Sequence, residues 1–282
     1  MRKELIHMAN VISVEMNGMG YTRLIGNTAK SLQNYIHDMK EFIFEVTKPL
    51  TDKSSELLGF VKNYDTKRVV DETRYTDLMN KDMFVPEGMS STVLSLISAL
   101  EKSQDLMDNI VDSTIKPATE YFSLLLSTPD EMSRATISPY AKQIVLNRNE
   151  IKKVKQLIAN CFHNPTHQSK VKFSECFEKN NDWSEACNRL EHLTNRVNAN
   201  SPTAVAAKVN ELVSVVDRLI VQMEASPEQY QANGVTGAYL AEIIFGIGEE
   251  VEYYAAHVHH VQVLANVMTQ NSELLKHNES SN

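Results

Sequence analysis

Apolar residues recur along this chain at alternating steps of three and four, and that spacing constrains the fold more than any other feature. It is clearest at Leu32, Ile36, Met39, Ile43 and Val46. It returns at Val93, Leu96, Ile97, Leu100, Met107 and Ile110, and again at Val205, Val209, Leu212, Val216, Leu219 and Met223. Residues so spaced line one side of an α-helix, so each segment must bury its stripe against another helix. The expected fold class is all-α: an elongated bundle of roughly six to eight helices with a long C-terminal helix. At 282 residues the chain can build a sizeable core, and its nine glycines and eight prolines suit long helices with short connections.

Punctuation residues divide the pattern. Residues 1–26 read either as a short helix ended by Asn17-Gly18 or as a hairpin turning there. Asn27 caps a helix that stops before Pro49, and a shorter one carries Leu57, Leu58 and Val61, so 1–63 forms an N-terminal helical segment. Residues 64–88 are charged and read as an irregular connection or arm. The main bundle is expected over 89–282. Ser90 or Ser91 starts a helix to about Ser127, in which Pro117 removes one hydrogen bond and forces a kink or break. A helix from Pro139 to Phe162 leads into an internal loop over 162–181. Asp182-Trp183-Ser184-Glu185 has the capping-box pattern, Ser201-Pro202 places proline at the first helical position, and Thr236-Gly237 opens the last helix. No unit recurs at a fixed spacing with similar residues, so a solenoid is not expected.

No apolar run approaches the roughly 18 residues needed to span a bilayer, and no secretory signal pattern follows Met1. A cytoplasmic or virion location with no membrane contact is expected. Cys161, Cys176 and Cys187 are odd in number and contain no CxxC pair, as for reduced thiols. The net charge of −8 hides a split: Lys142–Lys179 holds eight basic residues against three acidic, whereas Asp217–Asn282 holds nine acidic against two basic. Such a division suits a polyanion site or two surfaces that attract each other.

Three constellations could carry chemistry. Cys161, His163, His167, Cys176, Cys187 and His192 offer the thiolate and imidazole donors that zinc prefers, but their spacing matches no ligand ladder, and small buried hydrophobes explain the thiols. No metal or other cofactor is expected. Glu249, Glu250, Glu252, His257, His259 and His260 crowd the last helix without the Glu-x-x-His spacing of a di-iron bundle. With Ile244, Ile247, Val251, Tyr254, Val258, Val261 and Ala265 inward, most of these acids and imidazoles are expected at the flanks or the solvent side, as a pH-sensitive interface. Arg148, Lys152, Lys153, Lys155, Lys170 and Lys172, near Phe173, Phe177 and Trp183, could bind nucleic acid through phosphates and stacking. Nucleotide-loop, nucleophile-elbow and metalloprotease motifs are missing.

Striped helices, a charge-split surface and no catalytic motif together point to a non-enzymatic structural component of a multi-subunit particle. A virus or phage virion is a natural setting, with partners that include copies of the chain itself. A soluble helical adaptor is the alternative, and a metal-dependent helical enzyme a more distant one.

Overall fold

A computed structural model describes residues 82–87, 89, 92–128, 147, 149–159, 164–178, 182–199, 202–226, 229 and 237–277. The described part is 86% helical, with a small two-stranded sheet. In chain order its elements are strand β1 (Asp82–Glu87), helix α1 (Val93–Met107), a π-helical turn (Val111–Ile115), α2 (Lys116–Ser127), α3 (149–159) and strand β2 (Asn164–Lys172). The single turn α4 (Phe173–Cys176), α5 (Asp182–Ala199), α6 (Pro202–Ala225) and α7 (Gly237–His277) follow. The readings of 1–63, and of residues 64–81 within the expected arm, lie outside the described residues.

The helix limits follow local chemistry. The Thr92 hydroxyl accepts from the Ser95 N–H at 3.3 Å, so Thr92 caps α1 in place of the expected Ser90 or Ser91. Pro117 sits in the first turn of α2, directly after the π turn. The helix is not broken at Pro117, contrary to expectation: Ile115 is itself helical, the π turn passes directly into α2, and the interruption falls earlier, at the turn of Asp108 and Asn109 that ends α1. Asp182 opens α5 with its carboxylate turned backward, accepting from the Glu178 N–H at 2.8 Å. Pro202 and Gly237 open α6 and α7 as their positions predict. At about 1.5 Å per residue the 41 residues of α7 make a helix some 60 Å long.

The chain divides into two compact units, each gathered from three stretches. Met1–Phe42, Val111–Leu146 and Ala207–Glu249 make one, and Ile43–Ile110, Asn147–Ala206 and Glu250–Asn282 the other. In the first unit, α2 buries Tyr121, Phe122 and Leu125, and the α6 stripe Val209, Leu212, Val216, Leu219 and Met223 is buried throughout. The Gln222 amide donates to the Leu126 carbonyl at 3.3 Å and ties α6 to the end of α2.

In the second unit, Leu96, Ile97 and Leu100 of α1 and Leu193 of α5 are wholly enclosed. Two segments read as irregular contain strands instead: β1 lies at the end of 64–88 and β2 within 162–181. They pair antiparallel, Asp82 opposite Lys172 and Val85 opposite Ser169, with a register shift after Pro86. A proline cannot donate to the ladder, so the irregularity falls where that donor is missing. The partners are some 80 to 90 residues apart in sequence, as the Lys172–Asp82 ion pair spans 90, and no local pattern announces such a pairing.

Asn271 of α7 holds the ribbon from its other side. Its Oδ1 accepts from the Phe84 N–H and its Nδ2 donates to the Phe84 carbonyl, both at 2.8 Å. One side-chain amide thus stands where a third strand would pair. Asn271 is itself buried and Phe84 half-buried, so both bonds are partly shielded from water.

Two predictions follow from this packing. Asn271→Ala should cost about 2–4 kcal/mol by orphaning two backbone groups, and Asn271→Asp should cost more by facing a carboxylate toward the Phe84 carbonyl. Urea midpoints check that order; an aspartate variant as stable as wild type would contradict it. Leu100→Ala should lose about 2–5 kcal/mol in the same assay, since the site is fully enclosed.

Candidate functional site

The densest arrangement of functional side chains among the described residues joins α1, α5 and the 250–271 stretch of α7 within the second unit. Arg196 of α5 donates through Nη2 to Asp108, the C-cap of α1, and to Asp105 Oδ1 at 2.7 Å. Asp108 Oδ1 also accepts from Gln104 Nε2 at 2.6 Å, and Gln104 Oε1 lies 2.8 Å from His257 Nε2. A carboxylate only accepts, so the Gln104 amide nitrogen must face Asp108 and its oxygen must face the imidazole. His257 is therefore the neutral Nε2–H tautomer, donating into a chain whose polarity runs one way.

Both interior ends of that chain are enclosed. His257 has no exposed surface and Gln104 is 1% exposed. Burial, with smaller opposing and reinforcing charges around it, pushes the His257 pKa down to about 3. His260, one turn on, is lowered to about 4 by burial and by His259. Beside them Ser103 and the Tyr253 hydroxyl are hydrogen-bonded at 2.8 Å, both buried, and desolvation raises the tyrosine pKa.

A second set of ion pairs lies seven residues earlier on both α1 and α5. Arg189 Nη2 donates to Glu101 Oε2 at 2.5 Å and to Ser98 Oγ at 2.8 Å, while its Nε reaches Glu101 Oε1 at 3.1 Å. This two-pronged grip on one carboxylate is the geometry that distinguishes arginine from lysine. Arg189 and Arg196 rise along α5 as Glu101 and Asp108 rise along α1, so the two helices run parallel with ion pairs one heptad apart. Bonds to Glu101 and to Asp108 raise the two guanidinium pKa values against the opposing effect of desolvation.

Two members of the expected pH-sensitive cluster are more deeply placed than the flank or solvent side. His257 and Glu250 are enclosed rather than on the solvent side, and Glu249, His259 and His260 are only partly exposed. The Glu250 Oε2 atom lies 3.5 Å from the Asn147 amide. The side chain of Glu252 lies outside the described residues. The reason is visible in α7 itself. Tyr253, Leu264, Val267 and Met268 are buried in addition to the expected stripe, while His259, Val263 and Gln270 are partly exposed and Asn266 is exposed, so among the described side chains of 250–271 the buried face is wider than the stripe and the wet face narrow.

The basic residues are spread over separate elements. Lys153 pairs with Glu150 and Lys172 with Asp82, each at 2.6 Å, and Lys170 Nζ stands 5.2 Å from the centre of the Phe84 ring. Lys152 and Lys155 are exposed on α3, and Arg148 lies outside the described residues. Phe173, Phe177 and Trp183 are not available to stack on bases. All three are buried, with ring centres 4.8 to 6.4 Å apart in their own cluster. Apolar area hidden in this way stabilises the turn from β2 into α5.

Cys176 is buried within α4, and desolvation pushes its thiol up to about 12, which leaves it a small hydrophobe at neutral pH. Cys187 is buried on α5 and His192 exposed on the same helix. Cys161, His163 and the side chain of His167 lie outside the described residues. Among the described residues, no group of three or more histidines, cysteines and acids is placed to hold a metal ion, and no helix is long and apolar enough to cross a membrane.

Comparison with known proteins finds no matching family model, no matching curated protein and no matching solved structure.

Sequence reasoning passed over Glu101, Gln104, Asp105, Asp108, Arg189 and Arg196. Its available signal was the seven-residue spacing shared by Glu101/Asp108 and Arg189/Arg196. Arg196 and Asp108 are 26% and 29% exposed, so their pair is screened less than a fully wet one. A double-mutant cycle with Arg196→Ala and Asp108→Ala should give a coupling of about 1–2 kcal/mol that falls modestly in high salt. Strictly additive losses would show that the two charges do not support each other.

Proposed function

We propose that this chain is a non-enzymatic structural component of a multi-subunit particle, of the kind found in a virus or phage virion. The observation that carries the reading is where its polar groups are spent. Arg189, Arg196, Gln104, His257 and Asn271 each join one element of the second unit to another. Side chains used in this way stiffen a scaffold; they present no base or nucleophile to a substrate. The enclosed His257 has a glutamine between its ring and the nearest chain carboxylate, where a catalytic imidazole needs direct orientation and access.

Partners in this reading are other protein subunits, including copies of the chain, with nucleic-acid contact through the exposed Lys152 and Lys155 secondary to them. The bundle of six to eight helices expected from the stripes, and the attraction between basic and acidic regions, belong to the same proposal. Affinity comes mainly from apolar helix faces, since exposed ion pairs contribute only about 0–1 kcal/mol each. Leu124 and Val221 are 50% and 60% exposed, large apolar side chains that such a contact would cover.

Light scattering and sedimentation of the native protein test the proposal. A self-associated or particle-bound species is expected, weakened modestly by high salt. Leu124→Glu and Val221→Glu should reduce association without lowering the melting temperature, because neither site is in the core. A protein that stays monomeric under all conditions, with no recoverable assembly, would overturn the reading.

A further inference from the structure

We infer that His257 is an acid-sensitive latch: the 250–271 stretch of α7 stays packed against α1 only while this ring is neutral, and uptake of a proton by its Nδ1 accompanies opening of that packing. The inference is independent of the assembly proposed above and concerns the second unit alone.

The geometry is specific for a neutral ring. Nε2–H is committed to Gln104 Oε1, and among the described residues Nδ1 has no hydrogen-bond partner. A proton added there would be a buried donor with nothing to receive it. The surrounding charges give little relief. From α5, Arg196 adds positive charge; from α7 itself, the His260 ring does so when protonated. From α1, Asp108 is the one opposing charge, and it already accepts from both Arg196 and Gln104. Gln104, unlike a carboxylate, cannot take up the excess charge. Full enclosure then keeps water from solvating the imidazolium, so the charged ring and the closed packing exclude each other.

The direction of the pH effect follows. The closed state holds His257 at about 3, and an exposed imidazole titrates near 6.5, so between those values the opened chain binds a proton that the closed one does not. The closed state has its full advantage above about pH 6.5 and loses it as pH falls, by about tenfold in the opening constant per pH unit. At pH 5 the loss is roughly 30-fold for His257 alone. It approaches a thousandfold if the same opening also frees His260, whose pKa is lowered to about 4. The trigger therefore acts in mildly acidic water, although neither ring titrates there in place.

Two measurements on the full-length protein test this. In the first, histidine side-chain nitrogen spectra of the wild type are followed from pH 7.5 to 5. The folded-state His257 signal should remain the neutral Nε2–H tautomer throughout; a ring that titrates near 6.5 with the fold intact would overturn the latch. In the second, hydrogen exchange of amides in 250–271, corrected for intrinsic rates, should report an opening constant that rises at least about 30-fold over that range. His257→Gln, which keeps a donor toward Gln104 and cannot be protonated, should flatten the rise by about that factor. An unchanged pH slope in this variant would overturn the proposal. If the variant does not fold, the wild-type spectra and slope decide: a flat wild-type slope is equally fatal.

Discussion

An uncharged imidazole sealed inside a helical core is the constraint around which the second unit is arranged. Desolvating a polar ring is tolerated when its hydrogen goes to an acceptor, and the 2.8 Å contact from His257 to Gln104 supplies one. That choice dictates the next. The glutamine must present its oxygen inward, so its amide turns outward to Asp108, whose charge is met by Arg196. Each link sets the orientation of its neighbour, and a chain of this kind favours one alignment of α1, α5 and α7 over shifted ones, as buried polar groups do in coiled coils. Net stability is another matter, because the apolar residues around the chain gain from burial without any such requirement.

The parallel pairing of α1 with α5 shows how such alignment is reinforced. A shift of one residue would part Arg189 from Glu101 and Arg196 from Asp108 together. Leu96, Ile97, Leu100 and Leu193 could find other apolar partners at little cost; two arginines with specific carboxylates cannot. Lysine in either place would keep the charge and lose the forked geometry that holds Glu101 through two nitrogens. At the far end of α7, Asn271 does comparable work with an uncharged group. It pairs with both backbone groups of Phe84 on the outer edge of β1, groups that would otherwise be open to another chain.

What the sequence by itself determined is the local part. Period and punctuation sufficed for the existence of α5, for the limits of α6 and α7, and for the burial of the stripes that fall among the described residues, because helix hydrogen bonds and caps join residues a few positions apart. Tertiary structure decided everything that depends on who meets whom. The strands β1 and β2 each contain a proline, and each is stable only beside a partner far away in sequence. The placement of His257 failed for a related reason. A stripe identifies one buried side of a helix, but how far burial spreads to its flanks depends on how many neighbours surround it, and over 250–271 it spreads to Glu250, Tyr253, His257 and Leu264. Burial then reverses the meaning of the residue. The same imidazole that in water would gain charge near pH 6.5 is held neutral here, since its environment, unlike its identity, is not written in the residues next to it.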